Sequence, residues 1–219
     1  MSAPENIDKH SLNAASPLNV VTPETSYIRV KRWLDIALIL FLSPIIVPLM
    51  LVTALIIKLE SKGPVFFWQK RVGSHGRVFN ILKFRSMRTD SEKNGSQFAK
   101  NKDDRITRFG SFIRKMRIDE LPQLWNILLG EMSLIGPRPE QVKFVDEYKK
   151  TIPEYMDRHR VLPGITGLAQ IKQGYVDDEE GTRTKLQYDL YYIENISFKL
   201  DVQIVFQTIY TMATGFGAR

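Results

Sequence analysis

Polar and apolar positions divide this chain sharply. Residues 1–26 are polar, carry Pro17 and Pro23 and show no sustained periodicity, so they read as a mobile N-terminal tail. From Ile36 to Ile57, twenty-two residues pass without a charge. At about 1.5 Å per helical residue this run measures roughly 33 Å, near the ~30 Å hydrocarbon core of a bilayer. Length alone permits a crossing, but Ser43-Pro44 and Pro48 near the middle favour a bend, because proline lacks a backbone donor and its ring clashes with the preceding turn. Both flanks are basic: Arg29, Lys31 and Arg32 precede the run, and Lys58, Lys62, Lys70 and Arg71 follow it. Lys and Arg near a segment's ends tend to stay in the cytoplasm. A re-entrant hairpin over residues 27–62, dipping into one leaflet, is therefore preferred to a span. A buried core helix is the plainer alternative, and the run is longer than the ~10–14 residues usual for one. A signal peptide fits poorly, since Lys58-Leu59-Glu60 stands where small cleavage-site residues belong.

Residues 63–219 suffice for one compact domain with its own core. Two β-branched and aromatic stretches, Pro64 to Val72 and Arg77 to Met87, flank Gly73-Ser74-His75-Gly76 and predict a β-hairpin. A polar loop covers 90–104. Helices are expected over Ile106–Arg117 and Leu121–Leu129, the second stopped by Gly130, and over Glu140–Lys150, Arg183–Asn195 and Phe198–Met212. Pro137 and Pro139 force an extended segment around Arg138, and Pro163 to Gly167 reads as a loop. In the last helix Leu200, Ile204, Val205, Ile209 and Met212 recur at three- and four-residue spacing, which suits an interfacial face or a core face equally. The fold class is α+β, mainly helical: a re-entrant membrane helix, then a compact cytosolic domain with a small β-hairpin and amphipathic interfacial helices.

Charge narrows the partners. A net charge of +7 and a pI near 9.5 suit an anionic partner. Beside a membrane segment, phospholipid headgroups and phosphorylated substrates come ahead of nucleic acid, which only the pI supports. Cysteine is absent, excluding disulfides, thiolate zinc sites and a Cys nucleophile. His10, His75 and His159 have no metal-ligand spacing, and neither a GxSxG elbow, a GxxxxGK[ST] loop nor a GxGxxG turn is present. From Phe67 to Thr89 there are six Lys or Arg and no acid, whereas Asp177 to Glu180 is acidic. Lys83 and Arg85 are two apart and share a strand face; they hold phosphate in a pocket or belong to a strip touching lipid headgroups.

Between Arg114 and Gln123 two adjacent carboxylates, Asp119 and Glu120, follow a cluster of cations. The plain reading makes Asp119 the cap of a helix starting at Leu121, with Glu120 complementing its dipole. The functional reading makes one carboxylate a nucleophile on phosphorus or a ligand for magnesium, which typically takes one or two carboxylates plus substrate phosphates.

Seven motifs in register carry a resemblance from about Ile28 to Met212. They are Lys31-Arg32-Trp33-Leu34-Asp35, Ser43-Pro44 in the apolar run, Gln69-Lys70-Arg71-Val72-Gly73, Lys83-Phe84-Arg85-Ser86-Met87, Ile118-Asp119-Glu120-Leu121-Pro122-Gln123, Gly136-Pro137-Arg138-Pro139 and Arg160-Val161-Leu162-Pro163-Gly164-Ile165-Thr166-Gly167. In these the chain resembles the bacterial monotopic phosphoglycosyl transferases, a sugar transferase family that loads a sugar phosphate onto polyprenyl phosphate at the cytoplasmic face of the inner membrane. The resemblance implies that Asp119 attacks the sugar-bearing phosphorus of a UDP-sugar and expels UMP. Polyprenyl phosphate then takes the phosphosugar, the first membrane step of exopolysaccharide, O-antigen or glycoprotein glycan assembly. It implies Mg2+ as cofactor with Asp119 as its protein ligand, and Glu120 assisting the metal or the acceptor. Arg138 matches a contact to the nucleotide diphosphate, Arg114 and Lys83 match phosphate contacts, and Ser43-Pro44 matches the family's helix break. Arg117-Ile118 and Lys172-Gln173-Gly174 depart from the family's usual residues, which bears on the choice of sugar. A short tail before the membrane segment suits a minimal catalytic form, and pairing into a homodimer is left open. The rival from another class is a non-catalytic basic module that binds the membrane surface.

Overall fold

The computed structural model describes residues 25–88, 103–173 and 178–214. Most of the expected tail and most of the polar loop at 90–104 lie outside the described residues; Thr25 and Ser26, expected in the tail, already belong to the first helix. The apolar run forms helix α1, Thr25–Glu60, about 54 Å along its axis at 1.5 Å per residue. It is long and apolar enough to cross a membrane. The helical assignment runs through Pro44 and Pro48 without interruption, so the expected break at Ser43-Pro44 is not a gap in the helix. Pro44 cannot donate to the Leu40 carbonyl four residues back, and the Ser43 hydroxyl does so instead at 2.7 Å.

Both ends of α1 rest on the same globular body. Near the start, Lys31 Nζ lies 2.6 Å from Asp201 Oδ2, Tyr27 donates to the same carboxylate at 2.8 Å, and Ser133 Oγ donates to Asp35 at 2.6 Å. Ile39 then enters a core cluster with Phe79, Ile81, Ile127 and Met132. Near the end, Ile57 packs with Phe84 and Ile113. Between these anchors Leu40, Phe41, Ile45, Val47 and Leu49 are exposed. An apolar surface of this extent on one helix marks contact with lipid or with another protein.

The hairpin is present as β1, Phe66–Val72, and β2, Val78–Phe84, antiparallel from Phe66↔Phe84 to Val72↔Val78. Arg85, expected to share a phosphate-binding face with Lys83, instead turns to the end of α1. Its guanidinium donates to the carbonyls of Ile57, Ser61 and Lys62 and to Ser61 Oγ. The last carbonyls of a helix lack partners within it, and a cation there also complements the negative helix end. Buried among those acceptors, Arg85 braces the end of α1 and, among the described residues, makes no hydrogen bond to Lys83, Arg114 or Arg138.

Helices α2, Arg108–Lys115, and α3, Gln123–Leu128, are shorter than expected. Thr107 caps α2 by accepting from the Gly110 amide at 2.9 Å. The segment read as a loop at Pro163–Gly167 contains strand β4, Gly164–Thr166, which pairs in parallel with β3, Ser133–Ile135. A Cβ on Gly164 would lie 2.1 Å from the Gly136 nitrogen, so glycine is required where the two backbones meet. The remaining helices are α4, Val142–Thr151, α5, Leu168–Lys172, α6, Glu179–Glu194, and α7, Phe198–Thr214. The two readings of α7 divide along its length. Ile204 is fully buried in a cluster with Ile135, Leu168, Ile171, Tyr192 and Ile193, whereas Phe206, Ile209, Tyr210 and Met212 are exposed.

Asp201 is the hub of the first anchor, since Lys31, Tyr27 and Tyr192 all converge on it. Asp201→Ala would leave the Lys31 ammonium buried without its counter-charge. The expected cost is ~3–5 kcal/mol, read as a lower melting temperature of the detergent-solubilised chain.

Candidate active site

The two central carboxylates are delivered by a backbone reversal. After α2 ends, Arg117 adopts φ 57° and ψ 16°, a left-handed conformation uncommon outside glycine. One turn of 3₁₀ helix, Ile118–Glu120, follows and buries both Asp119 and Glu120. Asp119 does not cap the following helix: α3 begins after Pro122 and has no side-chain cap. Ile118 packs against the Ile57–Phe84–Ile113 cluster, so the turn is seated on the same apolar contact that anchors α1.

Three elements meet at Glu120. Its Oε1 accepts from Lys83 Nζ of β2 at 3.0 Å and from Arg138 NH2 at 2.7 Å. Arg138 comes from the Pro137–Pro139 segment, which is held at three carbonyls: Gly164 N donates to Pro137 at 3.0 Å, Arg158 to Arg138 at 2.9 Å and Arg71 to Pro139 at 2.9 Å. Among the described residues no hydrogen bond or ion pair reaches the Asp119 carboxylate. Arg114, half-buried in the last turn of α2, also makes no side-chain hydrogen bond among them.

The structure thus brings Lys83 and Arg138 together with Glu120, sets Arg114 near Asp119, and takes Arg85 to the end of α1. Ser43 and Pro44 lie along the exposed stretch of that helix. No group of three or more His, Cys, Asp or Glu that could hold a metal occurs among the described residues.

The description "Bacterial sugar transferase" matches residues 26–215, nearly the whole described structure. The chain belongs to the bacterial sugar transferase family. Among its relatives is a UDP-N-acetylgalactosamine-undecaprenyl-phosphate N-acetylgalactosaminephosphotransferase of Aeromonas hydrophila, 55% identical over 202 residues, or 92% of this chain and 48% of the relative. A UDP-glucose:undecaprenyl-phosphate glucose-1-phosphate transferase of Xanthomonas campestris pv. campestris is 48% identical over 74% of this chain and 34% of its own length. The exopolysaccharide production protein PSS of Rhizobium leguminosarum bv. phaseoli is 42% identical over 84% of this chain and 95% of its own. The chain therefore spans about half the length of the Aeromonas relative and about a third of the Xanthomonas one.

In this member of the family the adjacent carboxylates are pushed in opposite directions. Burial would raise the pKa of Glu120, but the charges of Arg138 and Lys83 outweigh it and hold the group well below its ordinary range. Asp119 is raised, first by burial and then by the charge of Glu120, with Lys83, Arg114 and Arg117 only partly opposing. Burial lowers Lys83, and nearby Arg138 adds to this against the pull of Glu120. Environments that separate two neighbouring carboxyl groups in this way assign them different roles.

Several participants escaped the sequence reading. Arg158 and Asp189 form an ion pair at 2.6 Å, each side chain 2% exposed. Glu140 joins Lys185 and, at 3.9 Å, Arg71. A signal for Asp189 existed: it shares the helical stripe of Leu186 and Ile193, where a charge calls for a buried partner.

A raised Asp119 pKa means that the unfolded chain ionises first, so folding stability falls as pH rises through the unfolded and then the folded value. Asp119→Asn removes this cost. At pH 7 it is expected to raise the melting temperature, by about 2–4 °C per kcal/mol recovered, and the gain should vanish below the ordinary aspartate range.

Proposed function

We propose that this sugar transferase moves a sugar 1-phosphate from a UDP-sugar to polyprenyl phosphate through a covalent intermediate on Asp119. The observation that carries the reading is the contrast within the dyad: Glu120 is matched by two cations, while Asp119 is buried, has no hydrogen-bond partner among the described residues and has its pKa raised. An ionised carboxylate so placed is desolvated and free to attack. The relatives' names supply the substrate class, since they pair UDP-sugars with undecaprenyl phosphate.

In the first step an Asp119 oxygen bonds to the sugar-bearing phosphorus, the bond from that phosphorus to the UMP oxygen breaks, and UMP leaves with the electron pair. In the second step a phosphate oxygen of the lipid attacks the same phosphorus and the aspartyl oxygen departs as carboxylate. The product is a polyprenyl-diphosphate-sugar, and neither step requires a proton from the protein. The work is positioning and charge stabilisation. Lys83 and Arg138 face the region where the diphosphate charge must be balanced, and Glu120 keeps these two cations assembled before the substrate arrives. Arg114 and Arg117 add positive potential beside Asp119.

Magnesium fits this donor set only as an ion shared with substrate. Asp119 and Glu120 Oε2 have no hydrogen-bond partner among the described residues, and magnesium is commonly held by one or two carboxylates with water and phosphate completing its shell. When bound, it would neutralise diphosphate charge.

Helix α1 is read as a re-entrant anchor in the bacterial inner membrane, with the domain on the cytoplasmic face. Support comes from the docking of both its ends on one domain, the basic flanks and the two prolines. A headgroup leaving the bilayer rim could then meet Asp119 while its polyprenyl tail stays in lipid.

Incubated with its UDP-sugar and magnesium before any lipid is added, the chain should release UMP and gain the mass of one phosphosugar on Asp119. Asp119→Asn should lower release by about 10³-fold or more. Lipid product forming without that adduct, or from Asp119→Asn at an undiminished rate, would refute the two-step route. Because the chain has no cysteine, topology can be read from Val30→Cys and Leu59→Cys. A membrane-impermeant maleimide should label neither in intact cells and both after lysis; labelling of one alone in intact cells would mean a full span.

A further inference from the structure

We propose that Arg158, charge-matched by Asp189, is a positioning residue that fixes the backbone from which Arg138 reaches the dyad. The inference rests on the reading of Arg138 as a contact to the donor diphosphate and names what makes that contact reproducible.

Arg138 stands between two prolines, whose rings fix φ at positions 137 and 139. The carbonyls of those prolines are held by Gly164 N and by Arg71. The Arg138 carbonyl itself is held by Arg158 NH2 at 2.9 Å. That bond fixes the peptide plane between 138 and 139, and so sets ψ at 138 within the extended range that Pro139 leaves to it. A long side chain magnifies any tilt at its root, and about 1 Å of misplacement at a reacting centre can cost ~10²-fold in rate.

Arg158 is itself immobilised. Its Nε and NH2 donate to Asp189 Oδ2 at 2.9 and 2.6 Å, NH1 donates to the Tyr155 hydroxyl at 3.1 Å, and the guanidinium carbon lies 5.3 Å from the Tyr155 ring centroid. The pair joins the 3₁₀ segment Tyr155–Arg160 to α6. Stability alone accounts poorly for its presence, because apolar residues of similar volume are often as stable as a buried ion pair. Apolar residues could not donate to the carbonyl at 138.

The test is a double-mutant cycle on UMP release by the full chain in detergent, measured in a single turnover. Arg158→Lys keeps a cation opposite Asp189 but loses the planar fork that serves Asp189 and the Arg138 carbonyl together. It should slow release about 10- to 100-fold. In the Arg138→Ala chain the same change should cost less than about 2-fold further, because the group being positioned is gone. Its effect on melting temperature should be equal in both backgrounds, which separates fold from positioning. Asp189→Asn serves as the second variant if Arg158→Lys does not fold. Equal fold-losses in the two backgrounds, or failure of both variants to fold, would overturn the positioning role. An Arg138→Ala chain as fast as the unmodified one would instead overturn the reading of Arg138 beneath it.

Discussion

One buried negative charge, that of Glu120, organises this molecule. Two cations from distant parts of the chain converge on its Oε1, Lys83 from the hairpin and Arg138 from the proline-flanked segment. Left alone, a carboxylate buried here would be driven toward its neutral form; paired, it stays ionised and draws three elements together at one point. The neighbouring Asp119 then bears the cost of that arrangement, since burial and the Glu120 charge both oppose its ionisation. A charge-matched carboxylate beside one whose ionisation is disfavoured is the physical basis of the proposed chemistry.

Helix α1 and the candidate site share a foundation. Ile57 of α1 packs with Phe84 and Ile113, and Ile118, directly before Asp119, packs against the same cluster. Phe84 directly follows Lys83 along the chain. Arg85 then turns to the carbonyls at the end of α1. Successive residues along the hairpin's second strand and its exit therefore serve the candidate site, the apolar contact and the end of α1, so the height of Asp119 relative to the helix end is fixed by packing. A flexible linker would leave that height undefined.

Local signals made much of this legible. Turn residues bracketed by β-branched and aromatic runs gave the hairpin, and three- and four-residue periodicity located the helices, though α6 begins at Glu179 rather than Arg183 because Asp178 caps it earlier. The β3–β4 pair was not legible: each strand has three residues, too few for alternation to register, and their pairing joins positions some thirty apart. Within the site, the two-residue spacing of Lys83 and Arg85 suggested a common task, yet it specifies only a strand face. Where a long side chain ends depends on which acceptors lie within reach, and for Arg85 those belong to α1.

The sequence by itself determined the uncharged run and its basic flanks, the dyad with its neighbouring cations, and the glycines and prolines that shape the backbone at 136–139 and 163–167. These are properties of residue type and short spacing. Only the tertiary structure decided that Glu120 is the paired carboxylate and Asp119 the unpartnered one, that Asp119 caps no helix, and that Arg158 and Asp189 stand beneath Arg138. The reason is electrostatic: the state of a buried charge depends on which opposite charges come within a few ångströms, and here those charges lie 18 and 37 residues away along the chain.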